Sequence, residues 1–252
     1  RRDVLIFLYV FIDEMMLRDK LTIIIPSYNE EKYIKRTLLS IINQVGCYGV
    51  RIIVADNHST DNTRKIIKKF NRDFYKDVEI IDGGRVSYAR NRGAELVKTE
   101  YMLFIDADEI LYNDYNIIEN MDKMVKLNLD LLTVKVKSYG SDLRTSLMFR
   151  IFNITNLIMS NWIPFAVGGY FMTRTDKFRE LGGFDETVNH SEDFLLSRKY
   201  SVKKFKISKH YAGQDDRRFK KMGYWGMIRL LIRGYLNRNN IEYFQKDVGY
   251  WK

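Results

Sequence analysis

The stretch "LTIIIPSYNEEKYIKRTLLSIINQV", Leu21 to Val45, predicts the basic unit of this fold. Its first six residues, Leu21 to Pro26, form a mostly β-branched run with the length of a buried strand. Polar residues follow, and apolar side chains then return at helical spacing, at Ile34, Leu38, Ile41, Ile42 and Val45. The stretch therefore predicts a strand, a turn and a helix from Glu30 to Val45.

The same unit repeats along the first half of the chain. The strands predicted next are Arg51 to Ala55, Val78 to Asp82 and Tyr101 to Asp106, and the helices are Thr60 to Phe70 and Ser87 to Val97. This alternation predicts an α/β fold with a mostly parallel sheet, right-handed crossovers and helices on both faces.

Beyond Glu109 the alternation fades. A helix is predicted at Asn116 to Lys126, and strands at Leu131 to Lys137, Leu147 to Phe152 and Val167 to Thr173. The 252 residues, 46% of them apolar, suit one large domain. We expect an N-terminal extension over residues 1–19, a main α/β domain over residues 20–214, and a basic, amphipathic, helical tail over residues 215–252.

The distribution of charge and the single cysteine bear on the partners and the cellular compartment of the protein. Arg198 to Lys252 holds 15 Lys and Arg against 4 Asp and Glu, whereas the rest of the chain holds 27 against 28. Cys47 is the only cysteine, so no intramolecular disulfide forms and the cytoplasm is the expected compartment. The apolar run Val4 to Ile12 is too short to cross a bilayer, which needs about 20 helical residues; we interpret it as an amphipathic or packed extension.

An acidic pair, Asp106 and Asp108, follows the apolar run "YMLFI" (Tyr101 to Ile105). Residues two apart in extended backbone point the same way, so both carboxylates can bind one divalent cation. Hard oxygen ligands suit Mg²⁺ or Mn²⁺. The pair also lies where open parallel sheets bind ligands, beyond the carboxyl ends of the strands.

Seven segments in one order resemble those of GT-A fold glycosyltransferases of family 2 type, which use nucleotide sugars. They are "IIIPSYNEE" (Ile23 to Glu31), "VADNHSTDNT" (Val54 to Thr63), "ARNRGAE" (Ala89 to Glu95), "FIDADE" (Phe104 to Glu109), "GGYFMTR" (Gly168 to Arg174), "LGGFDE" (Leu181 to Glu186) and "SED" (Ser191 to Asp193). The resemblance covers roughly Leu21 to Gly213. It implies a Rossmann-like GT-A sheet and inverting transfer of a sugar from a UDP- or GDP-sugar to an acceptor hydroxyl.

The resemblance implies a nucleotide site at the first two strand ends. Substrate contacts are expected from Pro26, Ser27, Tyr28 and Glu30 in the first turn and from Asp56 after the second strand. For Asp56 the alternative is a carboxylate that caps the turn. His58 stands where the family usually has glycine, so the sequence does not decide which conformation this turn adopts.

The diphosphate and the metal have their own candidates. Arg90 and Arg92 cannot share one helical face, and Arg90 is expected to meet the diphosphate. The resemblance implies a metal held by Asp106 and Asp108 that acts as a Lewis acid on the leaving group, with Asp106 also contacting substrate. It further implies a late histidine ligand, for which His210 fits best; a surface histidine is the alternative.

The general base is expected in "SED". The resemblance assigns Asp193 as the base, with Glu192 as the alternative. Acids in the first turn of a helix also complement its dipole, so a purely structural role stays open for both. Gly169 in "GGYFMTR" is expected to let the backbone approach the substrate closely.

The expected partners are a nucleotide-sugar donor and a glycan, lipid-linked or protein acceptor, without nucleic acid. Arginines alternate with Trp225, Leu230 and Ile232 in the tail, which predicts contact with an anionic membrane at its cytoplasmic face; helices packed on the domain are the alternative. Two other functions stay open. A sugar-phosphate nucleotidyltransferase would need a glycine-rich loop after the first strand, and a nucleic-acid-binding protein would use the basic tail.

Overall fold

The computed structural model describes residues 17–75, 77–140 and 142–246, so most of the predicted N-terminal extension and the last six residues of the tail lie outside it. The strands are β1 (Leu21–Ser27), β2 (Arg51–Asp56), β3 (Val78–Asp82), β4 (Tyr101–Phe104), β5 (Ile110–Leu111), β6 (Leu131–Ser138), β7 (Phe171–Arg174) and β8 (Phe205–Gln214). The α-helices are α1 (Ile34–Ile42), α2 (Thr63–Asp73), α3 (Val86–Glu95), α4 (Asn116–Lys126), α5 (Leu143–Met159), α6 (Thr175–Glu180), α7 (Glu192–Ser197), α8 (Arg217–Met222), α9 (Tyr224–Leu236) and α10 (Ile241–Gln245), and a 3₁₀ turn spans Val202–Lys204.

One eight-stranded sheet has the order β3-β2-β1-β4-β7-β6-β8-β5. The four strands from β3 to β4 are parallel, as the strand and helix alternation predicts. β7 runs antiparallel to both β4 and β6, β6 is parallel to β8, and β5 closes the sheet antiparallel to β8. The predicted α/β class with a mostly parallel sheet is therefore confirmed.

The central strand β1 is buried on both faces because its side chains alternate between two cores. Ile23 and Ile25 lie in the larger cluster, and Ile24 lies in the smaller one. The smaller cluster holds four phenylalanines whose ring centroids lie 5.1–6.0 Å apart: Phe104, Phe171, Phe178 and Phe184. The aromatic packing joins β4 and β7 to the segment before α7.

The strand register brings the ends of the parallel strands to one edge. Ser27 of β1 pairs with Asp56 of β2, and Asp56 pairs with Asp82 of β3. Phe104 of β4 pairs with Ile24, so the acidic pair at Asp106 and Asp108 follows directly at the same edge. Hydrogen bonding of the sheet therefore positions the turns that the sequence singles out.

The prediction of a strand at Leu147 to Phe152 is wrong, because this stretch lies within helix α5. Asp142 caps the helix by accepting a hydrogen bond from Arg144 N at 3.0 Å. Asn153 then fixes the helix to β6, since its side chain both accepts from Val136 N (2.9 Å) and donates to Val136 O (2.7 Å). A short β-branched and aromatic run resembles a strand when these cross-chain contacts are unknown.

The C-terminal helices begin by packing against the sheet domain. Phe219 of α8 is buried, and its ring centroid lies 5.2 Å from that of Phe149 on α5. The division of the chain between residues 214 and 215 stays a prediction. Among the residues described, no helix combines the length and apolar character needed to cross a bilayer.

Candidate active site

A cleft of about 570 Å³ opens at the carboxyl ends of β1, β2 and β4. Its charged lining residues are Arg85, Arg217, Arg218 and Lys221, together with Glu30, Asp106, Asp108 and Glu186. Another cavity, of about 450 Å³, lies at the opposite ends of the strands, around Thr22 and Arg51. Because ligands of open α/β sheets bind beyond the carboxyl ends, the first cleft is the candidate site.

The turn after β1 forms one wall of the cleft, as predicted for Pro26, Ser27 and Tyr28. The Ser27 hydroxyl is buried, and within the described residues it has no hydrogen-bond partner. Buried polar atoms are nearly always paired, so this hydroxyl is placed to bond a ligand. Tyr28 is 54% exposed, which leaves its ring free to lie against a flat group such as a base.

Asp56 stabilises the turn after β2 through hydrogen bonds to its carboxylate. The carboxylate is fully buried: Oδ1 accepts from Ser59 N at 3.0 Å and from Arg64 Nε at 2.5 Å, and Oδ2 accepts from Ser59 Oγ at 2.5 Å. His58 has a φ of 52°, so it adopts the left-handed conformation that glycine takes without strain. Asp56 thus fits the turn-capping alternative, and the structure does not bring it to the cleft as a base-contacting residue.

The acidic pair faces the cleft from a turn rather than from extended backbone, since β4 ends at Phe104 and Glu109 N donates to Asp106 O at 3.1 Å. Ala107 between the two aspartates belongs to the hydrophobic core, whereas Asp106 and Asp108 both line the opening. Asp106 accepts a hydrogen bond from Arg90, and Asp108 forms an ion pair with Arg217 at 2.8 Å. Burial raises the pKa of Asp108, although the nearby arginine charges oppose that shift.

Arg90 of α3 joins the acidic pair to the "SED" segment. Its side chain is only 1% exposed; Nη2 donates to Asp106 Oδ1 and Nη1 donates to Glu192 Oε1, each at 2.6 Å. Burial works to lower the pKa of Arg90, but the charges of Asp106, Glu192 and Asp193 outweigh burial, so the pKa is raised. One guanidinium therefore spans the distance between Asp106 and Glu192. Arg90 is not among the residues that line the cleft, so its direct contact with a diphosphate stays a prediction.

Glu192 and Asp193 begin helix α7 beside this cluster. Glu192 is buried and bound to Arg90, whereas Asp193 is half-buried. Asp193 Oδ2 accepts from Gly168 N and Oδ1 accepts from Phe194 N, both at 2.8 Å. Burial and the charge of Glu192 raise the pKa of Asp193 to about 7, against the opposing effect of Arg90 and the two N–H donors. A carboxyl that titrates near neutrality is suited to proton transfer. Neither Asp193 nor Glu192 is among the residues that line the cleft, so the role of base stays a prediction for both.

Arg217, at the start of α8, is the residue that the sequence analysis missed. Its guanidinium donates to Glu30 Oε1 at 2.7 Å and Oε2 at 3.1 Å while pairing with Asp108. Burial raises the pKa of Glu30, and the hydrogen bonds from Arg217 counter that effect. The pair Arg217 and Arg218 directly after β8 was the available signal, but it was assigned to the tail.

Gly169 has a structural reason to be glycine. A Cβ at this position would lie 2.1 Å from Glu109 Oε1 and 2.7 Å from Glu109 Cδ. Glu109 is fully buried, and burial followed by the charges of Asp108 and Asp106 raises its pKa well above the ordinary value. Gly169 is itself buried and does not line the cleft, so its glycine accommodates a protein carboxyl rather than a substrate.

His210 lies away from the acidic pair. Its Nε2 lies 2.9 Å from Glu119 Oε2 on α4, and it is not among the residues that line the cleft. The β8 strand points this side chain toward α4, so the structure does not bring His210 to Asp106 and Asp108 as a third metal ligand.

The chemistry of the cleft fits a divalent cation at the acidic pair. Asp106 and Asp108 offer hard oxygen atoms to one space. The guanidinium of Arg217 pairs with Asp108 and Glu30, so a cation would compete with it for Asp108. Over the described part of the chain, no three His, Cys, Asp or Glu side chains form a complete metal-binding group. A bound cation would therefore complete its coordination with water or with phosphate oxygens of a substrate.

Comparison with known proteins identifies relatives of the sheet domain. The sequence model described as "Glycosyl transferase family 2" matches residues 22–182. Poly(ribitol-phosphate) beta-N-acetylglucosaminyltransferase TarP from Staphylococcus aureus (strain N315) is 33% identical over 201 residues, which cover 73% of this chain and 60% of TarP.

Two solved structures share this architecture. S. aureus TarS 1-349 in complex with UDP-GlcNAc has a TM-score of 0.60 and 22% identity, over 77% of this chain and 58% of that one. Mannosyltransferase PcManGT from Pyrobaculum calidifontis, in complex with GDP-Man and Mn²⁺, has a TM-score of 0.66 and 17% identity, over 90% and 71%. At these identities the likeness establishes the fold. The chain spans at most 60% of the length of the first curated relatives that it matches.

Proposed function

The chain belongs to glycosyl transferase family 2, and from this premise we propose that it transfers a sugar from a nucleotide-diphosphate sugar to an acceptor hydroxyl, with inversion. One observation carries the proposal: Arg90 ties Asp106, at the cleft, to Glu192, beside Asp193. The carboxylates for the leaving group and for the acceptor proton thereby belong to one connected cluster.

The donor nucleotide is proposed to bind against the turn after β1. Pro26 and Ser27 form the wall there, the Ser27 hydroxyl is available for a hydrogen bond, and the exposed Tyr28 ring can stack on a base. Glu30 is held by Arg217, so we assign it to the charge balance of the cleft rather than to direct nucleotide binding.

The diphosphate is proposed to lie over the acidic pair. Asp106 and Asp108 would hold Mn²⁺ or Mg²⁺, which when bound supplies positive charge to the departing diphosphate. Arg85, Arg218 and Lys221 add cationic side chains to the cleft lining and favour an anionic ligand.

The acceptor hydroxyl is proposed to lose its proton to Asp193. The acceptor oxygen then forms a bond to the anomeric carbon as the bond from that carbon to the diphosphate breaks, and the diphosphate leaves with the electron pair. A single displacement of this kind inverts the anomeric centre. The pKa of Asp193, raised by burial to about 7, supports its role as base, and Glu192 remains the alternative.

The similar proteins suggest which substrates to try first. The TarP name specifies N-acetylglucosamine transfer to poly(ribitol-phosphate), the TarS complex contains UDP-GlcNAc, and the PcManGT complex contains GDP-Man and Mn²⁺. We therefore propose a UDP- or GDP-sugar donor and a hydroxyl on a glycan, lipid-linked, protein or polyol-phosphate acceptor. A cytoplasmic location, at the membrane face, and the lack of a nucleic-acid partner also remain predictions.

A donor panel tests the proposal. The protein is incubated with UDP-GlcNAc, UDP-glucose or GDP-mannose, with a ribitol-phosphate oligomer as acceptor, in Mn²⁺, Mg²⁺ or EDTA. Nucleoside diphosphate release is measured, and the anomeric configuration of the product is read by NMR. We expect release from one donor in metal, loss of release in EDTA, and an inverted product.

Two results would count against the proposal. Failure of every nucleotide sugar to bind or react, in the presence of both metals, would contradict the donor assignment. A product with retained configuration would contradict direct displacement.

Membership of family 2 leaves no support for the nucleotidyltransferase alternative. The basic residues Arg217, Arg218 and Lys221 of α8 line the same cleft instead of forming a separate nucleic-acid surface.

A further inference from the structure

Helix α5 is apolar on two opposite faces, and within the described part of the chain only one of them is covered. Its inner face packs on the sheet domain through buried Phe149 and the paired Asn153. The other face carries five aliphatic side chains that are 47% to 83% exposed, which we name the outer stripe: Leu143, Leu147, Ile151, Ile154 and Ile158. Surface helices normally turn a polar face to water, so the outer stripe departs from the usual pattern.

The outer stripe is continuous along the helix. Its members are spaced by four, four, three and four residues, which places them on one face at about 100° per residue. They extend over about 22 Å at 1.5 Å per residue. Trp162, 71% exposed, follows just after the helix ends. Single exposed aliphatic residues are ordinary, but a contiguous row of this size marks an interaction surface.

Helix α9 adds a second apolar surface next to the start of α5. Tyr224 OH lies 3.1 Å from Thr145 Oγ1, which joins the first turns of the two helices. Trp225 is 80% exposed, and Ile232 and Leu236 are exposed on the same helix. Neither of the two helical sequences contains an acidic residue, and together they carry Arg144, Arg150, Arg229 and Arg233.

Exposed apolar side chains next to arginines, without acidic residues, favour an anionic membrane as the partner of these two helices. We propose that the outer stripe and the exposed side of α9 dock on the surface of an anionic lipid bilayer. Apolar side chains would enter the boundary between headgroups and acyl chains, and the four arginines would contact anionic headgroups. A second copy of the chain is disfavoured, because a twofold interface would bring like-charged arginines together without acids to pair them.

The proposal does not depend on the sugar-transfer chemistry. The acidic pair, Arg90 and the SED segment lie outside both helices, so docking and catalysis can be tested with separate variants. Docking at a membrane would bring the cleft to acceptors held there, which extends the proposed function without being required by it.

Vesicle co-sedimentation tests the docking. The chain is mixed with vesicles of phosphatidylcholine alone or of phosphatidylcholine with phosphatidylglycerol, at low and high salt. The test variant combines Leu147→Gln and Ile154→Gln, and the matched control is Leu127→Gln, an equally exposed leucine just after α4. Because all three side chains are exposed, the thermal unfolding midpoints should stay close to that of the wild type.

We expect binding to the anionic vesicles that weakens with salt, an at least about tenfold loss in the double variant, and no change in the control. Equal binding of the double variant and the wild type would overturn the proposal, as would a lack of any binding. The proposal is also overturned if light scattering shows a dimer for the wild type and a monomer for the double variant, because a second copy would then cover the stripe.

Discussion

Arg90 is the residue on which the proposed site depends most. Its guanidinium is buried and bridges Asp106 and Glu192, with Asp193 close enough to contribute to its pKa. Arg92, two residues on, is exposed and pairs with Glu95 at 3.0 Å. Helical periodicity separates these two arginines correctly, but it does not reveal that Arg90 pairs with Asp106 and Glu192.

Replacing Arg90 by methionine should lower the free energy of unfolding by about 3–5 kcal/mol, because buried carboxylates would lose their counter-charge. Arg92→Met provides the control, since an exposed pair of this kind contributes about 0–1 kcal/mol. Urea denaturation of the two variants and the wild type measures both effects. Equal stability of the Arg90 and Arg92 variants would contradict the role of Arg90 as a buried bridge.

Asp193 predicts a specific dependence of the rate on pH. Burial first, and then the charge of Glu192, raise its pKa to about 7, so the unprotonated base becomes the main form only above that pH. We expect kcat/KM to rise about tenfold from about pH 6 to pH 8. The same shift means that the folded state binds this proton more tightly than the unfolded chain does, so the contribution of Asp193 to stability decreases as pH rises through 7.

Two variants decide which acid is the base. Asp193→Asn should lower kcat/KM by about 10²–10⁴-fold and remove the rise with pH, whereas Glu192→Gln should keep the rise but move it to lower pH, because the charge of Glu192 helps to raise the pKa of Asp193. Initial rates over the pH range measure both. A pH-dependent rise that survives in Asp193→Asn and disappears in Glu192→Gln would move the assignment to Glu192.

Among the elements, the parallel half of the sheet is the part that the sequence predicts well. The strand at Val78–Asp82 and the helix at Asn116–Lys126 have the predicted bounds, because apolar periodicity and polar turns are local signals. Helix α5 is mispredicted in part, since the run from Leu147 to Phe152 has the composition of a strand. Its helical state depends on the cap at Asp142 and on the contact of Asn153 with β6, which no local window contains.

Helix α8 brings an additional charge into the site through pairing that is distant in sequence. β5 pairs with β8, Ile110 with Gly213, and the chain then enters α8 so that Arg217 reaches Asp108. A composition argument recognises the basic segment but not its contact, because the contact depends on closing the sheet at its far edge.

Arg217→Ala should increase the affinity of the acidic pair for Mn²⁺. The arginine balances Glu30 and Asp108, so its removal leaves negative charge that a cation can neutralise. We expect about tenfold tighter binding of Mn²⁺ without nucleotide, in the range of typical coupling energies of 1–3 kcal/mol. Calorimetric titration measures it, with Lys221→Ala as a control that removes an equal charge from the cleft wall. Unchanged or weaker binding in Arg217→Ala would contradict this charge balance.

Across the whole fold, the parallel half contributes the turn after β1 and the acidic pair to the cleft, and the antiparallel half contributes Glu192, which Arg90 joins to Asp106. The sequence places the acidic pair at the cleft because strand ends align in a parallel sheet. It leaves open whether Asp56 caps its own turn, and the structure shows this local role through the bond from Ser59 N. It does not foresee that His210 pairs with Glu119, because that contact joins segments 91 residues apart in the chain. The sequence therefore shows which carboxylates and histidines could act at a site, but it does not show which residues they contact in the fold.

We propose that Asp108 binds the donor through a divalent cation. Calorimetric titration of the reactive nucleotide sugar, in Mn²⁺ and in EDTA, compares the wild type with Asp108→Ala and with Asp122→Ala, an exposed acid on α4. We predict metal-dependent binding by the wild type and the Asp122 variant, and an about 100-fold or greater loss in Asp108→Ala with an unchanged fold. Equal, metal-dependent affinity in Asp108→Ala would contradict the claim.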